Sequence, residues 1–115
     1  MLPPKLKKPR KQPKARKPGQ PYKSPAHLRF VRQHQCSAQT ELCVGLIHAH
    51  HVKTRGAGGG DEWCVSLCAY HHNILHTVGR DTFGERYSID LTEMARAFAR
   101  ASPDPEIRRR AEHVR

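Results

Sequence analysis

All four cysteines and six of the nine histidines lie between Cys36 and His76. Thiolates and imidazoles are ordinary ligands of zinc and other borderline divalent metals, so metal chemistry is expected here. Two pieces carry it: LIHAHHV over 46–52 and LCAYHHNILHTVG over 67–79, with KTRGAGGGDEW between them. On a helix running from Cys68, at about 100° per residue, Cys68 and His71 sit roughly 60° apart. His72 and His76 sit roughly 40° apart, in a direction turned roughly 90° from the first pair. One short helix can therefore give two ligands to each of two ions.

The Cys68/His71 pair needs thiolate company. Cys36 and Cys43 are the natural donors, and Cys36, Cys43, Cys68 and His71 would make a closed Cys3His site of the structural zinc type. The six-residue spacer between Cys36 and Cys43 is longer than the ~2–4 residues usual between paired zinc ligands. Cys64 therefore stays open as a rival ligand, or as a buried free thiol. His72 and His76 need a third ligand, which the strand opposite can supply from His50 or His51. Adjacent strand residues point to opposite sides, so one of them can bind metal while the other faces substrate as a base. Three protein ligands leave coordination positions open for water and phosphate, as a catalytic site requires. His48 shares its strand face with His50 and is an extra ligand or a support for one. A purely structural zinc domain that contacts nucleic acid is the competing reading, and it leaves the histidine-only set unexplained.

These residues need a frame. Residues 46–52 and 63–67 read as two strands of a hairpin around the glycine cluster Gly56, Gly58, Gly59 and Gly60. Those glycines permit positive φ or close approach of a phosphate backbone, or simply make a flexible loop. Cys68 to about Thr77 reads as a helix stopped near Gly79. Ser24-Pro25 is a good helix start for about 25–33; His27 and His34 are expected on its surface. Asp90 with Glu93 resembles a capping box. Leu91, Met94, Ala95, Phe98 and Ala101 follow at helical spacing, until Pro103 and Pro105 end the run. Residues 103–115 read as a charged tail, a frayed helix or a second phosphate contact, with His113 exposed.

The 115 residues suffice for one small domain, and at 37% hydrophobic content a metal staple is expected. The net charge of +11 points to a polyanionic partner. Residues 1–23 carry nine Lys or Arg and no acid, whereas the other 92 residues carry a net +2. Six prolines in that segment block a regular helix, so 1–23 reads as a disordered basic arm. Its Lys7, Lys8, Arg10 and Lys11 would engage phosphates in a salt-sensitive, sequence-independent way. The domain proper is then 24–102. No signal peptide or membrane-spanning run is visible, so a reducing cytoplasm, in which disulfides are disfavoured, is expected.

The sequence AHHV, then GAGGGDEW, then LCAYHHNILH, resembles HNH endonucleases of the ββα-metal, or His-Me finger, superfamily. With the early cysteine pair and DTFGERY, it is similar to small phage and prophage HNH proteins related to the phage recombination-enhancement nuclease. The resemblance covers roughly 25–100. It implies an α+β fold, a small ββα-metal domain with flanking helices. It implies that His51 is the general base and His50 the metal ligand before it. His72 and His76 match the helix ligands, and Cys68 and His71 match half of a structural zinc site. Asp61 falls near the central Asn of the motif, which orients the base; Asn73 lies on the helix, in the wrong place for that role. The cofactors implied are a structural Zn2+ and a catalytic Mg2+, Mn2+, Zn2+ or Ni2+. The activity implied is hydrolysis of DNA, single- or double-stranded, to 5′-phosphate and 3′-hydroxyl ends, with RNA as the less favoured substrate. Lys53 and Arg55 would clamp the phosphate, and a recombination or phage protein is a conceivable partner. A neutral base histidine means that activity should fall below pH ~6.5.

Overall fold

The computed structural model of the chain describes residues 20–115. The expected arm, with Lys7, Lys8, Arg10 and Lys11, lies outside the described residues apart from its last four positions. Helix α1 is Pro25–Arg32; Ser24 caps it by accepting from His27 N at 3.1 Å, and Pro25 opens it. Strands β1 (Ile47–His51) and β2 (Cys64–Cys68) form a two-stranded antiparallel hairpin. Its register sets His51 opposite Cys64, His50 opposite Val65 and Ile47 opposite Cys68.

The glycine cluster serves the hairpin loop itself, which holds two 3-10 turns, Arg55–Ala57 and Asp61–Trp63. Gly58 has φ +92°, a left-handed conformation that disfavours side chains. A Cβ on Gly59 would stand 2.0 Å from the Lys53 carbonyl oxygen.

Helix α2 is Ala69–Val78, with Cys68 as its N-cap rather than its first residue and Gly79 as its C-cap. Helix α3, Arg80–Tyr87, follows at once, over a segment for which no element was expected. Helix α4 is Leu91–Arg100, capped by Asp90, which accepts from Glu93 N at 3.1 Å. Glu93 does not close the expected box; its carboxylate pairs with Arg96. Leu91, Ala95 and Ala99 form the buried stripe, with Met94 and Phe98 at its margin, while Ala101 is exposed.

Of the readings open for the C-terminal segment the structure has the helix, packed rather than frayed. Residues 105–110 are helix α5 (Pro105–Arg110), capped by Asp104 and followed by a 3-10 turn. Ile107, Ala111 and Val114 are completely buried. Arg108, Arg109 and Arg110 are charges on the outer side of a packed element, with Arg109 and Arg110 paired to Glu106. The main core gathers Trp63, Val65, Leu67, Phe83, Leu91 and Ala95 around β2. All five residues of β2 are buried, so this strand of the hairpin is covered on both faces. Among the described residues no helix is long and apolar enough to cross a membrane.

His27 is a correction. It is wholly buried, not on the surface, and its Nδ1 shares a 2.8 Å hydrogen bond with Ser102 Oγ. Its Nε2 has no partner among the described residues. Burial pushes its pKa down to about 4 against the opposing pull of Asp61 and Asp104. His34 is exposed, as expected, and rests edge-on against Phe30 and Phe98.

Candidate metal centres and the Asp61-bound histidine

The first centre joins three places in the chain. Cys36 follows α1, Cys43 lies in the next loop, and Cys68 and His71 begin α2. Their ligand atoms lie within 4.8 Å of one another. The long spacer folds back through two turns: Gln39 N donates to Cys36 O at 3.1 Å and Cys43 N to Thr40 O at 3.2 Å. Ser37 N donates to Ser66 O at 2.8 Å, which pins the loop to β2.

All three sulfurs face the same imidazole atom. His71 Nδ1 is 3.5 Å from Cys36 Sγ, 3.5 Å from Cys43 Sγ and 3.1 Å from Cys68 Sγ. A thiolate and an imidazole on one tetrahedral zinc lie ~3.5 Å apart, given usual bond lengths. The four residues are thus consistent with a structural zinc. The other ring atom, His71 Nε2, is held by Thr40 Oγ1 at 3.0 Å, the kind of outer contact that orients a ligating histidine. Burial pushes the Cys68 thiol up, but hydrogen bonds from the backbone and ring of His71, from the Val44 backbone and from Cys36 outweigh it. The net is a pKa of about 6, which favours thiolate. Cys43 moves the opposite way, raised by burial and by the neighbouring sulfurs.

Cys64 is not in this set. It lies on β2 opposite His51, and burial followed by the charge of Asp61 raises its pKa strongly. It is a protonated core thiol.

The second centre is His50, His72 and His76, whose ligand atoms also lie within 4.8 Å of one another. His72 Nε2 and His76 Nε2 are 2.9 Å apart, one helical turn from each other on α2. Two imidazoles at a right angle on one ion stand ~3.0 Å apart. The His50 ring packs against both, at centroid distances of 4.9 and 5.3 Å. Burial, then the neighbouring His72 and His76, pushes His50 down to about 4; burial, then His76 and His48, lowers His72. Neutral imidazoles with free lone pairs are what a divalent ion needs. His48 is outside the trio. Its Nδ1 meets His72 Nδ1 at 2.9 Å, on the side of the His72 ring away from His76.

His51 turns from its neighbour. Its Nε2 lies 2.9 Å from Asp61 Oδ1. The buried Asp61 also accepts from Arg55 Nη2 at 2.8 Å and from Ser24 N at 2.6 Å. Burial opposes ionisation of Asp61, but the hydrogen bonds from His51 and Ser24 and the charge of Arg55 hold its pKa below the usual carboxylate value. A carboxylate on Nε2 fixes the hydrogen there and leaves the lone pair on Nδ1. Cys64 lies close enough to complete a third donor trio with His51 and Asp61. A protonated thiol and a guanidinium already on Asp61 make that trio a poor cation site.

The residues singled out in the sequence are thus divided among three places. Cys36, Cys43, Cys68 and His71 come together, and so do His50, His72 and His76, while His51 is joined to Asp61. Arg55, expected on a substrate phosphate, is engaged by Asp61, and Lys53 Nζ stands over the Trp63 ring at 5.2 Å. Sequence reasoning missed Thr40 and Ser24. Thr40 could have been suspected from its place inside the cysteine loop. Ser24 is 37 residues from Asp61, and nothing local signals that contact. Comparison of the chain with protein-family models, with curated proteins and with solved structures gives no match.

Proposed function

We propose that the protein is a metal-dependent endonuclease of the HNH type that hydrolyses phosphodiester bonds in DNA. The observation that carries this reading is the division of the His50–His51 pair. His50 joins His72 and His76 in a set fit to hold an ion, while His51 is backed by a buried carboxylate. A histidine in a purely structural zinc domain has no need of a carboxylate fixing its tautomer.

In this reading His51 Nδ1 accepts a proton from the attacking water as its oxygen bonds to phosphorus. Asp61 stabilises the imidazolium that forms, and Arg55 and the Ser24 N–H keep Asp61 ionised and in place. The bond from phosphorus to the 3′ oxygen breaks, giving 5′-phosphate and 3′-hydroxyl ends. An ion held by His50, His72 and His76 would supply Lewis-acid polarisation of the phosphate and stabilisation of the leaving oxygen. The Cys36, Cys43, Cys68 and His71 zinc would fix the start of α2, and so the direction in which His72 and His76 project.

The test is plasmid cleavage with Mg2+, Mn2+ or EDTA, comparing the protein with His51→Ala. Loss of a general base costs ~10²–10⁴-fold in rate. The substituted protein should lose cleavage on that scale while retaining DNA affinity and its zinc. Equal cutting by both proteins would remove His51 from the mechanism. No cutting by either, with DNA binding intact, would favour a non-catalytic zinc protein.

A further inference from the structure

A groove of about 560 Å3 opens at the far end of β1, lined by Lys53, Thr54, Ala57, Trp63, Arg80 and Arg115 among others. It holds three cationic side chains and no Asp or Glu side chain among its lining residues. None of the three cations forms an ion pair among the described residues. Arg55, Arg96, Arg100, Arg109 and Arg110 are each ion-paired to an acid; what sets this groove apart is that three cations without an ion pair line one concavity. Arg80 stands at the border of a neighbouring depression that it lines together with Asp81, Glu85 and Asp90, and it forms no ion pair with any of them among the described residues.

The groove's place in the fold says what it faces. Lys53 is two residues beyond His51, and Val52 N donates to Trp63 O at 2.9 Å, which carries the hairpin pairing up to the groove. The Lys53 ammonium is held over Trp63, so part of its ordering cost is met before any anion arrives. Arg80 enters from the first position of α3, and Arg115 from the segment that Val114 anchors in the core. Three chain-distant elements thus bring cations without an ion pair to one concavity whose lining starts at Val52, the residue that follows the proposed base in the chain.

We infer that this groove is a phosphate-backbone subsite: Lys53, Arg80 and Arg115 hold the strand of a nucleic acid flanking the bond presented to His51. The location beside the hydrolytic site rests on the nuclease reading; the affinity for a strand does not. A phosphodiester chain carries a charge at every residue, so cations on separate elements can engage successive phosphates. Arg80 and Arg115 act on binding alone and touch no reacting atom.

The experiment is DNA binding by the full chain in EDTA, read by fluorescence anisotropy across a salt series. Arg80→Ala/Arg115→Ala is compared with Arg29→Ala/Arg86→Ala, which removes two exposed arginines outside the groove. Removing two phosphate contacts should lower the slope of log K against log salt by ~1.4–1.8 and weaken binding at least ten-fold. Zinc content should not change. In cleavage, the groove variant should raise KM for DNA while leaving hydrolysis of bis(p-nitrophenyl) phosphate, which has no flanking strand, as it was. An unchanged slope, or a loss no greater than that of the Arg29/Arg86 pair, overturns the subsite, and an acidic protein partner would leave that pattern. Displacement of bound DNA by inorganic phosphate at constant ionic strength, abolished in the groove variant, would make it a small-anion pocket and also overturn it. A chain that never cuts DNA but shows the groove-dependent slope supports the subsite and sinks the nuclease reading. A chain that cuts but lacks the slope change does the reverse.

Discussion

At the scale of residues, function turns on which ring atom each histidine commits. His71 gives Nδ1 to the sulfurs and Nε2 to Thr40. His51 gives Nε2 to Asp61. His72 gives Nε2 toward His76 and Nδ1 toward His48. With a metal on Nε2, His72 must carry its hydrogen on Nδ1 and donate it to His48 Nδ1. Replacing His48 by Phe removes that acceptor and should weaken binding of the exchangeable ion by ~10–100-fold. His48→Asn keeps an acceptor near the same place and should restore most of the affinity. Titration with Co2+, followed by its visible absorption, checks both. Equal affinity in the Phe variant would show that His48 does not orient His72.

At the scale of elements, the zinc tetrad ties the loop after α1 to the start of α2. Cys68 is placed by β2, His71 by the first helical turn, and Cys36 and Cys43 by a loop pinned to Ser66. Cys43→Ser should therefore lose the tightly held zinc and lower the melting temperature. Cys64→Ala should keep full zinc content, because that thiol lies with His51 and Asp61 instead. Elemental analysis after dialysis separates the two outcomes. The element least visible in the sequence was α3. Thr82, Phe83, Gly84 and Tyr87 are weak helix formers, and it is the packing of Phe83 and Tyr87 on the core that favours helix there.

At the scale of the whole molecule, α5 and the turn after it close the fold. Deleting residues 103–115 exposes the sites of Ile107 and Val114, each worth about 1.5–3 kcal/mol when buried. It also removes Asp104, which accepts from Tyr22 Oη at 3.0 Å and from Ser24 Oγ at 2.5 Å. The truncated chain should lose most of a marginal stability, seen as an early and broad thermal transition; an unchanged transition would return the segment to the status of a tail. His27 makes a second whole-molecule test, since it packs α1 against Ser102 beyond the end of α4. Its folded pKa of about 4 lies below its unfolded value of ~6.5. The unfolded chain therefore takes up a proton first as pH falls. Stability from this group is intact above ~6.5, declines through the window, and is lost below about 4, on the order of 3 kcal/mol. His27→Gln should flatten that part of the pH–stability curve, measured by urea titration at each pH.

The residue types and spacing in 36–76 separated the two helix pairs before any fold was known, because helical pitch turns Cys68/His71 away from His72/His76, but they left Cys64 in contention for the zinc and either His50 or His51 as the third ligand of the other set. Strand alternation likewise determined that His50 and His51 part company, and the hairpin, α1, α2 and α4 were legible from periodicity and caps. Only tertiary structure decided the rest. Cys64 was removed from the zinc set by the β1–β2 register, which sets it opposite His51. Arg55 was drawn to Asp61 by a buried charge that needed a partner. His27 and residues 103–115 look solvent-exposed in sequence because charged neighbours mask one buried side chain per turn. Ile107 and Ala111 are covered partly by Ala99 of the preceding helix and partly by Tyr22, more than 80 residues away, and no local pattern encodes contact at that second separation.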